Sequence, residues 1–163
     1  MYSVSFTGHR PEKLPYFSED DPMCLDMKLR LKTQIEKLIC EGADSFFSGM
    51  ARGVDIWCAE IVIELKDKYP GLMLTAVIPC RTQTNGWDGK SVIRYRNILE
   101  RCDKTVYISE EYSKACMLKR DRALVEMCDV LVAVFDGTKG GTKYTVGYAE
   151  KKHKKVIVIP PIQ

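Results

Sequence analysis

A chain of 163 residues is long enough to bury well over half of its unfolded surface in one ordinary domain, so neither disulfides nor a metal is needed to hold it together. Its formal net charge of +3, from 25 Lys and Arg against 22 Asp and Glu, lacks the strongly basic balance of a DNA-coating protein and disfavours nucleic acid as a partner. No run approaches the roughly 20 apolar residues of a membrane span, and Met1–Phe6 does not open a signal peptide, so a cytoplasmic protein without a membrane partner is expected. The seven cysteines are odd in number and contain no Cys-x-x-Cys pair, which points to a reducing compartment. With only His9 and His153 available, no metal site is expected.

In chain order, Tyr2–Thr7 has the composition of a short strand. Residues 10–22, rich in Pro, Asp and Glu, make a long surface loop or a mobile flap. Residues 23–41 carry Met27, Leu31, Ile35 and Leu38 at helical spacing and stop at Gly42. Asp44–Ser48 is a second strand, Val54–Tyr69 a helix, and Leu72–Pro79 a third strand whose continuous apolar run implies burial on both faces. After the loop 80–90, Ser91 is placed to cap a helix through Cys102, and Lys104–Ser109 forms a fourth strand. A helix over Ala115–Cys128 precedes the most apolar strand, Val130–Phe135. A helix at about 142–153 and a strand at Val156–Pro160 complete the chain. The run Lys151–Lys155 spans a helix end, where cations complement the carbonyl end of the dipole. Strand and helix alternate throughout, which predicts one α/β domain over 1–163, with about six mostly parallel strands covered by helices on both faces.

In such a sheet ligands bind beyond the carboxyl ends of the strands, so the strand exits carry the functional reading. The first strand leads into Thr7-Gly8-His9-Arg10-Pro11 and the second into Ser48-Gly49-Met50-Ala51-Arg52-Gly53-Val54-Asp55. The strand at 130–135 leads into Asp136-Gly137-Thr138-Lys139-Gly140-Gly141-Thr142. Glycine lets the backbone approach an anion, and a following helix start adds free N–H donors. Neither glycine loop has P-loop spacing or a full G-x-G-x-x-G, which disfavours a magnesium-dependent phosphoryl transferase and a standard dinucleotide dehydrogenase.

These loops, with Arg120-Asp121-Arg122-Ala123-Leu124 ahead of the fifth strand, resemble the SLOG superfamily, which contains the DNA-processing protein DprA and the LOG phosphoribohydrolases. The opening Thr7-Gly8-His9-Arg10-Pro11 is most similar to its YspA/YpsA/YoqJ-like branch of small bacterial and phage proteins. The resemblance implies a Rossmann-like three-layer fold, a strand order of 4-3-2-1-5-6, and a nucleotide-derived ligand in the crevice between strands 1 and 5.

Individual residues sharpen the expectation. Arg10, extended by Pro11, is placed to reach a phosphate. His9 is a hydrogen-bonder to ligand, and Asp55 either accepts ribose hydroxyls or caps its own helix. Of the two arginines on the fourth helix, Arg122 is expected at phosphate while Arg120 pairs with an acid. Trp87 and Tyr112 pack on their own loops, with base stacking as the alternative. LOG enzymes carry a glutamate three residues past the threonine of their glycine loop; here that place is Thr145, and no catalytic set is complete. The leading reading is therefore a binding or sensor protein for a nucleotide, NAD or ADP-ribose-like molecule. It would act with a protein partner or as a homo-oligomer paired through an apolar helix face. A LOG-type N-glycosidase and a DprA-type single-stranded DNA binder are the alternatives.

Overall fold

The computed structural model describes residues Met1–Gln163. Six strands, β1 (Ser3–Gly8), β2 (Ser45–Ser48), β3 (Met73–Ile78), β4 (Lys104–Tyr107), β5 (Val130–Val134) and β6 (Lys155–Ile159), form one sheet in the order β4-β3-β2-β1-β5-β6. Every pairing in it is parallel. Both the three-layer α/β class and the strand order agree with the sequence reading.

Five helices connect the strands: α1 (Pro22–Cys40), α2 (Val54–Leu65), α3 (Gly89–Arg101), α4 (Cys116–Met127) and α5 (Gly141–Lys151). In α1 the inward positions Cys24, Met27, Leu31, Ile35 and Leu38 recur every three or four residues and are all buried. Asp21 caps it by accepting from the Met23 N–H at 2.9 Å, with Pro22 in the first turn. Apolar on nearly every side, α2 is wedged between the sheet and its neighbours α1 and α3. It ends at Leu65, four residues short of the predicted Tyr69, because Pro70 biases the preceding residue away from helical backbone and the chain leaves through turns. The cap of α3 is Asp88 rather than Ser91; its carboxylate accepts from both the amide and the hydroxyl of Ser91.

β5 shows how one strand serves two layers. Val130, Val132 and Val134 join the large core under α1, α2 and α3, while Leu131 and Ala133 face the smaller one under α4 and α5. Residues 10–22 are a tied surface loop rather than a flap. A 3-10 turn at Pro11–Lys13 is followed by buried Leu14, Tyr16 donates to the Pro161 carbonyl, and Glu19 pairs with both Lys28 and Arg94. All seven cysteines are free, five of them buried. No helix is long and apolar enough to cross a membrane.

Candidate functional site

The sheet reverses direction of growth at β1, with β2 on one side and β5 on the other, which makes the β1/β5 boundary the switch point. Gly8 stands opposite Val134 in the register, so the exits of the two strands leave side by side. Between them lies a crevice of about 150 Å³, walled by Thr7, Gly8, His9, Arg10, Lys13, Ala51, Asp55, Arg120, Asp121, Gly141 and Thr142.

Each wall has a local cause. Gly8 passes so close to α2 that a Cβ on it would lie 2.5 Å from the Cβ of Val54. Only glycine lets β1 and the start of α2 approach this far. Gly53 takes φ +88° and backs onto Pro11, which turns the chain into α2 with no side chain capping the helix. Gly140 likewise begins α5 without a side-chain cap. The Ile56 N–H of α2 donates to the Ala51 carbonyl, and the amides ahead of it, like those that open α5, are left for an outside acceptor.

Within the second loop, Ser48 donates to the Asp55 carbonyl at 2.9 Å and accepts from the Met50 N–H, while the Asp55 carboxylate accepts from the Ala51 N–H at 3.2 Å. Ser48 and Met50 thus build the loop from within and are fully buried. Ala51 and Asp55 reach the crevice. Burial pushes the Asp55 carboxyl up to about 6, against the opposing pull of Arg120 and the Ala51 N–H.

His9 is buried and bonds through Nε2 to Asp136 Oδ1 at 2.9 Å, its ring tilted against Phe135. The hydroxyl and amide of Thr138, and then His9, hold the Asp136 carboxyl far below the usual carboxylate range. Asp136 accordingly orients His9 and its own loop from outside the crevice lining. Lys13 closes the rim by donating to the Lys139 carbonyl at 2.6 Å.

Of the predicted residues, Thr7, Gly8, His9, Arg10, Ala51, Asp55, Gly141 and Thr142 meet at the crevice. Ser48, Gly49, Met50, Gly53, Asp136 and Gly140 shape it from outside its lining. Arg122 does neither. It is exposed, donates to the Tyr144 hydroxyl at 2.6 Å, and lies over the rings of Tyr144 and Tyr148. The arginine in the crevice is Arg120, 3% exposed, which donates to the Gly49 carbonyl and pairs through Nε with Asp121 at 2.8 Å. The sequence held the signal: Cys116, Arg120 and Leu124 fall at spacings of four on the buried face of α4, and Arg122 falls out of phase. Lys13, Asp121 and Gln83 were missed as well. Gln83 donates to the same Gly49 carbonyl at 3.0 Å from a loop with no motif to mark it. No cluster of His, Cys, Asp or Glu has metal-binding geometry.

A fully parallel sheet whose glycine-marked exits open one polar crevice at the switch point defines a Rossmann-like α/β protein. Within that class, this chain belongs to the YspA SLOG family, whose model matches residues 4–159. It is 29% identical over 153 residues to a UPF0398 protein of Bacillus pumilus, covering 92% of this chain and 82% of that one. A UPF0398 protein of Bacillus thuringiensis is 30% identical over 155 residues, covering 93% and 84%. Among solved structures it is similar to DNA processing protein A from Helicobacter pylori (TM-score 0.68, 21% identity) and to DprA from Streptococcus pneumoniae (TM-score 0.66, 15% identity). Each likeness covers 96% of this chain but only 64% and 50% of the respective DprA chains.

The modest net charge disfavoured nucleic acid, yet the H. pylori neighbour of this fold has a single-stranded DNA binding mode. Overall charge averages over the whole surface, whereas a strand is held by the local field of one crevice, so +3 excludes nothing.

Proposed function

We propose that this protein is a binding or sensor module that holds a nucleotide-derived molecule, of the NAD or ADP-ribose kind, by its phosphates in the β1/β5 crevice. The observation that carries the reading is the convergence of three glycine-marked strand exits on one space, with the buried Arg120 in its wall and two helices opening toward the site without side-chain caps. A fixed guanidinium and free amides form a pre-organised anion cradle. Isothermal titration of the full chain with AMP, ADP, NAD and ADP-ribose tests it. Binding of at least one, competed by inorganic sulfate, supports the proposal; no binding by any of them to folded protein overturns it.

The DprA likeness favours a second reading, in which the same crevice takes the backbone of single-stranded DNA. Anisotropy of a labelled oligothymidylate then shows affinity falling steeply with salt. Binding independent of salt, or none, removes this reading.

A further inference from the structure

Beyond Arg10, which lines both spaces, the crevice gives way to a larger cleft of about 550 Å³. That volume is within the range of small-molecule sites. Its walls come from the loop after β3, the loop after β4 and the start of α4, and include Gln83, Trp87, Tyr112 and Met117.

Gln83 is only 7% exposed. Its Nε2 donates to the Gly49 carbonyl, and since a carbonyl oxygen can only accept, that bond fixes which end of the amide faces the loop. The other end, Oε1, is the one buried side-chain polar atom with no partner in the protein. More than nine in ten buried polar groups are hydrogen-bonded, so an unpartnered acceptor on a residue that lines the cleft asks for a donor. The rings beside it differ in freedom. Trp87 is locked edge-on against Tyr95, at 5.4 Å and 87°, whereas Tyr112 is 65% exposed and stacks on no other ring or cation. Arg52, the second cation of the cleft, is held by Glu12 at 2.6 Å, which leaves Arg10 as the charge between the two spaces.

An exposed aromatic ring, a buried acceptor and an adjoining anion cradle match a planar heterocycle that has N–H donors on its edge and a phosphate at its other end. We infer that this cleft receives the nucleobase of the bound ligand, stacked on Tyr112 and donating an N–H to Gln83 Oε1. The inference rests on the phosphate reading of the neighbouring crevice. Gly49 links the two sites mechanically, because its carbonyl accepts from Gln83 on one side and from Arg120 on the other.

The test is calorimetric titration of the full chain with ribose 5-phosphate, AMP and N6,N6-dimethyl-AMP, which keeps the rings but has no N–H on the base. AMP binds about tenfold or more tighter than ribose 5-phosphate, and the dimethyl analogue loses much of that gain. Tyr112→Ala, a surface change that leaves the core intact, brings AMP down to the ribose 5-phosphate level without altering the latter, and Tyr112→Trp restores it. A 5′-phosphorylated dinucleotide that shares the gain identifies a nucleic-acid end as a source of the base; one that does not identifies free nucleotides. Equal binding of AMP and ribose 5-phosphate, unchanged in Tyr112→Ala, overturns the base site while leaving the phosphate reading standing. Failure of all these probes to bind overturns both.

Discussion

Arg120 of α4 reaches across the carboxyl end of the sheet and donates through Nη1 to the carbonyl oxygen of Gly49. The fit requires the glycine, because a Cβ there would lie 2.8 Å from Nη1 and 2.9 Å from Cζ. One buried guanidinium thereby fixes the second loop, pairs with Asp121 and stands in the field of Asp55. Arg120→Ala leaves these acceptors uncompensated and is expected to cost about 3–5 kcal/mol in denaturant unfolding, with loss of sulfate binding. Arg120→Lys keeps the charge but not the fork, so it folds better and still binds sulfate more weakly than the parent. Arg122→Ala, a surface change on the Tyr144 ring, alters stability by no more than about 0.5 kcal/mol and leaves sulfate binding alone.

That contrast also marks how far the sequence carries. The strands, their parallel direction and the three exits follow from apolar runs, glycines and the alternation of elements, all local signals, whereas the order of the strands came with the SLOG resemblance. Choosing between Arg120 and Arg122 needs the phase of α4, which Cys116 and Leu124 supply once the helix is read as a wheel. Gln83 is a different case. Its role arises from a contact across 34 positions between two irregular loops, and no periodicity or turn chemistry encodes such a meeting. The caps show the same limit at short range: Asp88 and Ser91 are both competent, and only the hydrogen bonds decide which one begins α3.

Gly8 and Gly141 both line the crevice but should respond oppositely to substitution. A Cβ on Gly8 would fall within 2.6 Å of three carbons of Val54, close to the α2 backbone where nothing can swing aside. Gly8→Ala is therefore expected to destabilise by about 1–3 kcal/mol and lower the melting temperature. At Gly141 nothing lies within 4 Å of a built Cβ, and the residue sits in the first turn of α5. Gly141→Ala leaves stability within about 1 kcal/mol of the parent, because alanine suits a helix better. Because Gly141 lines the crevice, ligand titration, not thermal melting, is expected to register the added methyl group.

Thr145 occupies the place of the LOG-type glutamate and is 1% exposed, its hydroxyl turned back to the Gly141 carbonyl at 2.9 Å. A group so placed offers no proton to a substrate. Incubation of the protein with nucleoside monophosphates or NAD, followed by chromatography, should show no released base above the uncatalysed rate. Any release would reopen the N-glycosidase reading, and release that survives Asp55→Asn and His9→Ala together would point to a catalytic group elsewhere.

Asp55 gives the crevice a pH dependence whose sign follows from its burial. Its carboxyl is pushed up to about 6 in the folded protein, so the native state holds the proton more tightly than the unfolded chain, whose value is near 3.8. The stability it contributes is complete below about pH 4 and is lost as pH rises through about 6. The same titration acts on ligands. Sulfate keeps its charge from about pH 5 to 8, so its affinity reports the protein alone. Protonated Asp55 removes a negative charge from the wall that also holds Arg10 and Arg120. Sulfate should therefore bind up to about tenfold more tightly at pH 5 than at pH 7.5. Asp55→Asn keeps an oxygen for the Ala51 N–H and removes the ionisable proton, which should flatten that part of the profile and hold affinity high at neutral pH. His9 and Asp121 are present in both proteins, so the difference between the two curves isolates Asp55. Superimposable curves would show that the crevice binds its anion without regard to this carboxyl.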